Sequence, residues 1–184
     1  MIKETILNHI SVSNSLLNNI DSIDKLCSIA LSTILSKNKI LLCGNGGSAS
    51  DANHIAAEFI GRFEKDRIPL PAISLSDNLS SITSIGNDYN FDEIFSRQVK
   101  ALGNKNDLLI GISTSGNSQN VLNAIKVAQS LDMNCFVLSG RDGGIISQLQ
   151  CDIIKVESGN TARIQEMHIL IGHIVCEYID NKIV

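Results

Sequence analysis

The sequence contains no tryptophan and only two prolines among its 184 residues. No apolar run approaches the roughly 18 residues of a membrane helix, and the first residues lack the basic and apolar regions of a secretion signal. These absences predict a cytoplasmic protein with no membrane partner. Lys and Arg number only 15 against 19 Asp and Glu, which argues against direct nucleic-acid binding, since neutralising phosphates needs a basic surface.

The five cysteines are scattered and include no CxxC pair, so they indicate neither a zinc finger nor a disulfide framework. Four of them stand in apolar runs and are expected to act as small buried hydrophobes. The length and the 43% hydrophobic composition fit a single packed domain spanning residues 1–184.

Residues 2 to about 36 carry apolar side chains at helical spacing, interrupted at Asp21 and Ser22. This pattern predicts a helical hairpin before the main domain. We expect residues 1–37 to pack on the core or on a neighbouring subunit.

Short runs of consecutive apolar residues then alternate with helical patterns, as in strands that are buried on both faces of a sheet. The strands are predicted at 39–43, 71–75, 107–113, 134–138 and 151–156, and the main helices at 49–62, 121–131 and 161–179. The fold class is therefore α/β, a three-layer α/β/α sandwich around a central parallel sheet.

The first predicted strand ends in a glycine loop, Gly44 to Ser48, followed directly by a helix. Glycines allow close backbone approach to a ligand, and a helix N-terminus favours an anion. The string also satisfies the dinucleotide pattern G-x-G-x-x-A, but no acidic residue stands at the expected distance. An NAD-type site is thus a distant alternative, and a ligand-free turn remains another.

The third predicted strand ends in Ser113-Thr114-Ser115-Gly116-Asn117-Ser118, with four hydroxyl groups before a helix. Hydroxyls and backbone amides at a helix N-terminus bind a phosphate without a lysine. A simple N-cap would need only one of these hydroxyls. No P-loop motif is present, so a P-loop nucleotidase is excluded.

Two further helices carry candidate chemistry. His54 and Glu58 lie four residues apart and share a helix face, so both side chains reach one ion or substrate. On the last helix, Gln165 and His173 are eight residues apart, which is roughly 12 Å along the axis. That distance is large for two ligands of one small ion.

Five segments taken together closely resemble the SIS (sugar isomerase) domain family and, within it, the bacterial phosphoheptose isomerases. They are GNGGSASDANHIAAEFIGRF (44–63), IGND (85–88), GISTSGNSQNVLNAI (111–125), SGRDGG (139–144) and TARIQEMHILIGHIVCEYID (161–180). The resemblance covers nearly the whole chain. It implies a flavodoxin-like sandwich that forms a homotetramer with active sites between subunits.

The resemblance also implies roles for individual residues. The proposed acid/base pair is Glu58 and His173. The substrate-binding residues it implies are Asn45, Gly46, Gly47, Ser48, Glu58, Asn87, Asp88, Ser113, Thr114, Ser115, Ser118 and Gln165. One zinc ion per subunit is implied, with His54, Glu58, Gln165 and His173 as its ligands. Some family members carry Asp where this chain has Ala162, and others carry Ala.

The activity that the resemblance implies is conversion of sedoheptulose 7-phosphate to D-glycero-D-manno-heptose 7-phosphate through an enediol. This is the first step toward ADP- or GDP-heptose for lipopolysaccharide or capsule. A carboxylate and an imidazole suit such proton transfers, and no nucleotide or redox cofactor is needed.

The alternative from another class is a non-catalytic tetrameric adaptor resembling the bacterial DnaA initiator-associating protein. That relative shares the RIQEMH string but resembles GNGTS and STRGNS where this chain has GNGGS and STSGNS. It also lacks a histidine at the place of His173. The intact loops and both acid/base candidates favour the isomerase.

Overall fold

The computed structural model describes residues 1–183 and forms one five-stranded parallel sheet with helices on both faces. The strands are β1 (Ile40–Gly44), β2 (Ala72–Ser74), β3 (Leu108–Ser113), β4 (Asn134–Gly140) and β5 (Asp152–Val156). The helices are α1 (Ile2–Ser15), α2 (Ile20–Leu35), α3 (Gly47–Ile60), α4 (Leu79–Asp88), α5 (Ser96–Leu102), α6 (Gln119–Ser130) and α7 (Thr161–Asp180). The strand order is β2-β1-β3-β4-β5. The predicted three-layer α/β/α sandwich is confirmed.

Alternating residues of each strand divide the core into two layers. Ile40 and Leu42 of β1 pack with α2, α3 and α7, whereas Leu41 and Cys43 pack with α5 and α6. All four side chains are fully buried, because both faces of the sheet are covered. This burial is the reason that β1 is apolar at consecutive positions.

The N-terminal hairpin prediction is wrong in its geometry. A 3₁₀ turn, Leu16–Asn19, joins α1 to α2, and Asn19 rather than Asp21 is the N-cap of α2. Ser15, Leu16 and Ile20 keep right-handed helical dihedral angles, so the chain continues instead of folding back. α1 therefore packs on α7 and not along α2.

A polar cluster fixes α1 on α7. Arg163 donates to the Thr5 carbonyl oxygen and pairs with Glu166, which also lies 2.7 Å from Nδ1 of His9. Since Thr5 and His9 are one helical turn apart on α1, both contacts fall on the same helix face. The N-terminal helices are thus attached to the helix that carries Gln165 and His173.

His168, on the buried face of α7, has no exposed surface. Its Nε2 lies 3.1 Å from the Ser139 carbonyl oxygen, to which a neutral ring donates, and its Nδ1 is buried without a partner among residues 1–183. Burial lowers the pKa of His168 to about 4, although the Ser139 contact opposes this shift. The folded protein therefore holds this histidine neutral.

We expect protonation of His168 to lower the free energy of unfolding in acid. Its folded pKa lies below the unfolded value of about 6.5, so the neutral ring stabilises the fold above pH 6.5, and this stability is lost as the pH falls toward 4. The shift corresponds to about 3 kcal/mol in the free energy of unfolding. Urea unfolding at pH 7 and pH 4.5 should show this loss in the wild type and not in His168→Gln.

Comparing the wild type with His168→Gln also removes the contribution of Asp51, whose effect on stability has the opposite pH dependence. Burial raises the pKa of Asp51 to about 6, against the influence of His54, so this carboxyl stabilises the fold as the pH falls. Asp51 is present in both proteins and cancels in the difference. Equal pH slopes for both would contradict the assignment to His168.

Among residues 1–183, no helix has the length and apolar character required to cross a bilayer.

β2 is the short edge strand, and the segment between it and β3 contains α4 and α5, which the sequence patterns did not predict. α4 is rich in Ser and buries none of its residues. Its start is fixed by the Asn78 side chain, which accepts from the Ser81 N–H.

Candidate active site

The two loops with predicted ligand-binding residues lie side by side. β1 and β3 are paired in parallel, with Gly44 opposite Ile112, and their carboxyl ends lead into the Gly44–Ser48 and Ser113–Ser118 loops. β2 lies on the other side of β1, so the order in which strands are added to the sheet reverses between β1 and β3. Parallel sheets bind ligands in the crevice at such a point.

The loop after β1 turns sharply into α3. Gly46 has φ +56° and ψ −120°, a backbone conformation that residues with a Cβ rarely adopt, although a Cβ at this position would meet no neighbour within 4 Å. Gly47 and Gly46 are exposed, whereas Ser48 is buried. The exposed turn leaves the N-terminus of α3 open toward the crevice.

The loop after β3 is ordered by its own hydroxyl groups. Ser113 and Ser118 join their hydroxyl oxygens at 2.9 Å across the loop, and Ser115 accepts from the Asn117 N–H at 3.1 Å. Thr114 is half-buried beside them. α6 begins immediately after Ser118, so its positive dipole end faces the loop. This arrangement suits a phosphate dianion.

The loop that follows β4 packs against the Ser113–Ser118 loop, which we call the phosphate-type loop. The Ile146 N–H donates to the Gly116 carbonyl oxygen, and the Ile145 N–H donates to the Asn117 side chain. A Cβ added to Gly116 would lie 2.0 Å from the Gly143 carbonyl oxygen. The SGRDGG segment thus holds the loop in place by close backbone packing.

Asn120, which the sequence analysis did not single out, joins the two loops. Its amide and that of Asn45 donate to each other, with both distances 2.9 Å, and its oxygen also accepts from the Val121 N–H. Asn120 is buried at the start of α6. A polar residue on the apolar face of a helix was the available signal. The pair fixes the width of the crevice, and it places the Asn45 side chain between the loops.

We expect Asn120→Ala to widen the crevice and weaken substrate binding. It leaves the Asn45 amide without its partner, which costs about 1–3 kcal/mol in the free energy of unfolding. The measurements are chemical unfolding and KM for sedoheptulose 7-phosphate, the substrate that the resemblance implies, with KM rising at least about tenfold. Gln119→Ala, next to it but exposed, is the control. A KM equal to the control's would contradict the role.

His54, Glu58 and His173 converge in the structure. One ligand atom from each lies within 4.8 Å of the others, and His54 Nε2 is 3.1 Å from Glu58 Oε1. The His54 and His173 rings meet edge to face at 5.1 Å. The side chains of His54 and Glu58 are 50% and 24% exposed, so the cluster is open to solvent.

The cluster fits a zinc ion by its chemistry. Two imidazoles and one carboxylate form a donor set that zinc takes in catalytic sites, and a fourth position stays open. A tetrahedral ion with bonds of about 2.1 Å separates its donors by roughly 3.4 Å, and the His54 and Glu58 donors lie 3.1 Å apart, with all three within 4.8 Å. His173 Nε2 is buried and has no hydrogen-bond partner among residues 1–183, as suits a metal-binding nitrogen.

Gln165 lies at the opposite end of the contact between α3 and α7. Its amide packs against Gly47, seven residues and roughly 10 Å before His54 along α3. In one subunit it therefore borders the glycine loop rather than the three-residue cluster. Its role as a metal ligand stays a prediction.

Asp51 is a second residue that the sequence analysis missed. It lies on α3 between Gly47 and His54, and its Oδ2 is buried with no hydrogen-bond partner among residues 1–183. Burial raises its pKa to about 6. An Asp three residues before a histidine gives no distinctive pattern, so sequence alone could not reveal it.

Asn87 and Asp88 lie at the C-terminal end of α4, and both are exposed. Within the described chain their side-chain hydrogen bond is to each other, at 2.9 Å. No side-chain hydrogen bond within residues 1–183 joins Asn87 or Asp88 to either loop. Their contacts with sugar hydroxyls stay a prediction.

Ala162, where some relatives carry Asp, is exposed, and its backbone N–H donates to the Asn160 side chain.

Comparison with known proteins identifies the family. The SIS domain model matches residues 9–140. The phosphoheptose isomerase of Aliarcobacter butzleri is 50% identical over 184 residues, covering 100% of this chain and 97% of that protein.

Two solved structures agree. The phosphoheptose isomerase GmhA from Neisseria gonorrhoeae has a TM-score of 0.93 at 41% identity, covering 98% of this chain and 97% of the other. A phosphoheptose isomerase from Francisella tularensis has a TM-score of 0.94 at 37% identity, covering 98% and 96%. Together with the two loops and the cluster of His54, Glu58 and His173, these matches show that the chain belongs to the SIS domain family and, within it, to the phosphoheptose isomerases.

Proposed function

We propose that this protein converts sedoheptulose 7-phosphate to D-glycero-D-manno-heptose 7-phosphate in the cytoplasm, at the start of heptose precursor synthesis. The observation that carries the proposal is the convergence of Glu58 and His173 beside His54 in a protein with an intact phosphate-type loop. The relatives described above are phosphoheptose isomerases by name, which favours the isomerase over the adaptor.

The loops divide the binding of the substrate. The hydroxyls of Ser113, Thr114, Ser115 and Ser118, with the N-terminus of α6, hold the phosphate by hydrogen bonds and the helix dipole. The glycine loop at the start of α3 contacts the sugar. Since no lysine is required at the phosphate, the site stays neutral apart from its acid/base groups.

The isomerisation is a pair of proton transfers. The Glu58 carboxylate takes a proton from C1, the C1–H electrons form the C1=C2 bond, and the O2 oxygen accepts a proton from His173. The resulting cis-enediol returns the O1 proton to His173 while C2 takes a proton from Glu58. The net change moves one hydrogen from C1 to C2 and one from O1 to O2, so that the carbonyl group passes from C2 to C1.

We also propose that each subunit binds one resident zinc ion. His54, Glu58 and His173 would hold it, and Gln165 is the proposed fourth ligand. Bound zinc would supply Lewis-acid polarisation of the substrate oxygens, worth several kcal/mol. We expect metal analysis of the wild type to give one zinc per chain, and His54→Ala to bind it at least about tenfold more weakly. Equal affinity would contradict the ligand set.

We further propose a homotetramer with active sites between subunits. The exposed face of α1 presents Ile2, Ile6 and Ile10 at four-residue spacing, with exposures of 74%, 55% and 47%. An apolar stripe of this kind marks a protein interface. Sedimentation equilibrium tests this directly. We expect a tetramer from the wild type and dissociation when Ile6 and Ile10 are replaced by Glu.

The function is tested by incubating the purified protein with sedoheptulose 7-phosphate and following the ³¹P and ¹H NMR spectra of both isomers. We expect the manno-heptose phosphate to appear, and unphosphorylated sedoheptulose to remain unchanged under the same conditions. Failure to convert the phosphosugar, with and without added zinc, would favour the non-catalytic adaptor instead.

A further inference from the structure

A buried ion pair lies beyond the C-terminal end of α3. Arg67 and Asp180 have side chains that are only 1% and 2% exposed, and Arg67 Nε donates to Asp180 Oδ1 at 2.6 Å. The other oxygen, Oδ2, accepts from the N–H groups of Glu64 and Lys65 at 2.8 and 3.0 Å. Asp180, at the end of α7, thus holds three groups of the 61–67 loop.

The Arg67 guanidinium also reaches the last turn of α3. It donates to the carbonyl oxygens of Glu58 and Phe59, both at 2.9 Å. The last carbonyls of a helix lack N–H partners within it, and a cation there also interacts favourably with the helix dipole. Arg67 therefore caps the turn from which the Glu58 side chain projects.

The same loop acts on His173. Phe63 immediately precedes Glu64, and its ring lies 5.3 Å from the His173 ring with a tilt of 30°. Asp180 follows His173 by seven residues, two turns of α7, and so lies on the same side of that helix. One buried carboxylate is thereby connected to both acid/base residues, to Glu58 through Arg67 and to His173 through Phe63.

A buried ion pair adds little net stability, because desolvation offsets the attraction between its charges. Its more specific effect is to fix geometry. We propose that Asp180 is a positioning residue of the active site, which holds the 61–67 loop so that Glu58 and His173 converge with His54. This inference rests on the acid/base function proposed above for Glu58 and His173.

Asp180→Asn tests the inference, because it keeps the size of the side chain and removes the charge. We expect kcat to fall about 10–100-fold with KM within about twofold, and the zinc dissociation constant to rise about 10–100-fold. Zinc affinity is measured by competition with a chromophoric chelator. Circular dichroism and thermal unfolding report whether the fold is kept.

Asp107→Asn is the matched control. Asp107 is equally buried and also accepts from three donors, the Lys39 ammonium and the N–H groups of Lys39 and Asn104, but these donors precede β1 and β3 and do not belong to α3, α7 or the 61–67 loop. We expect it to cost stability while leaving kcat and zinc affinity unchanged. A folded Asp180→Asn protein whose kcat and zinc affinity match those of Asp107→Asn would overturn the proposal.

A second variant covers the case in which Asp180→Asn does not fold. Arg67→Met with Asp180→Leu replaces both members of the buried ion pair by apolar side chains, a kind of change that proteins often tolerate. The same falls in kcat and zinc affinity are expected, and wild-type values would overturn the proposal. Wild-type turnover of sedoheptulose 7-phosphate is measured first. Its absence would count against the proposed function, whereas zinc affinity tests Asp180 independently.

Discussion

Glu58→Gln is expected to lower kcat for sedoheptulose 7-phosphate by about 10²–10⁴-fold, because an amide cannot take the C1 proton. The fold should be kept. The Glu58 side chain is partly exposed, and its hydrogen bond in the structure is to His54, so little of the core depends on it. Initial rates over a range of substrate concentrations separate kcat from KM, and circular dichroism checks the fold. His173→Gln should have an effect of similar size, because an amide cannot donate the proton that O2 accepts.

Glu177→Gln is the matched control, since it makes the same change on an exposed position of α7. We expect its kcat to equal that of the wild type. Folded Glu58→Gln and His173→Gln proteins that both keep kcat within tenfold of this control would contradict the acid/base assignment.

Gly116→Ala is expected to cause the other large effect, on both stability and KM. Gly116 has φ +66°, and its new Cβ would lie 2.0 Å from the Gly143 carbonyl oxygen. The strained conformation costs about 1–2 kcal/mol, and forcing the backbones apart costs about 1–3 kcal/mol more. Because the loop of hydroxyls must move, we expect KM to rise at least tenfold, as about 1.4 kcal/mol of lost binding would produce. Urea unfolding and steady-state kinetics measure the two effects.

Two other glycine variants separate the effect of backbone strain from the effect of the close contact with Gly143. Gly46→Ala also carries backbone strain, with φ +56° and ψ −120°, but meets no neighbour within 4 Å, so its free energy of unfolding should fall by only the strain cost of about 1–3 kcal/mol. Gly159→Ala has neither strain nor a neighbour and should leave stability unchanged. If Gly116→Ala were as stable as Gly159→Ala, the close packing on Gly143 would not support the loop.

Much of the fold could be predicted from the sequence because the strands are buried on both faces. β3 was expected at 107–113 and begins at Leu108 and ends at Ser113, since apolar residues fill the whole run. α4 escaped prediction because Ser, Thr and Gly give its sequence little helical preference, and a single Asn78 cap fixes its start. The break between α1 and α2 was predicted at Asp21 and Ser22, because Asp is a common N-cap residue, yet Asp21 lies in the first turn of α2.

The site was predictable where one motif supplies adjacent side chains, and less so where contacts join distant segments. His54 and Glu58 are neighbours on one helix face, so their approach follows from their spacing. The pairing of Asn45 with Asn120 depends on which strands are adjacent, and spacing alone does not give that. The same holds for Asp180, whose partners lie more than a hundred residues earlier in the chain.

The most direct test of the account is the reaction in deuterated water, with the hydrogen at C2 of the product followed by NMR. Because Glu58 and His54 are open to solvent, the base should exchange its proton. We therefore predict D-glycero-D-manno-heptose 7-phosphate that carries deuterium at C2, formed by the wild type and not by Glu58→Gln. No product, or product with only protium at C2 after prolonged incubation, would contradict an enediol isomerase that uses this site.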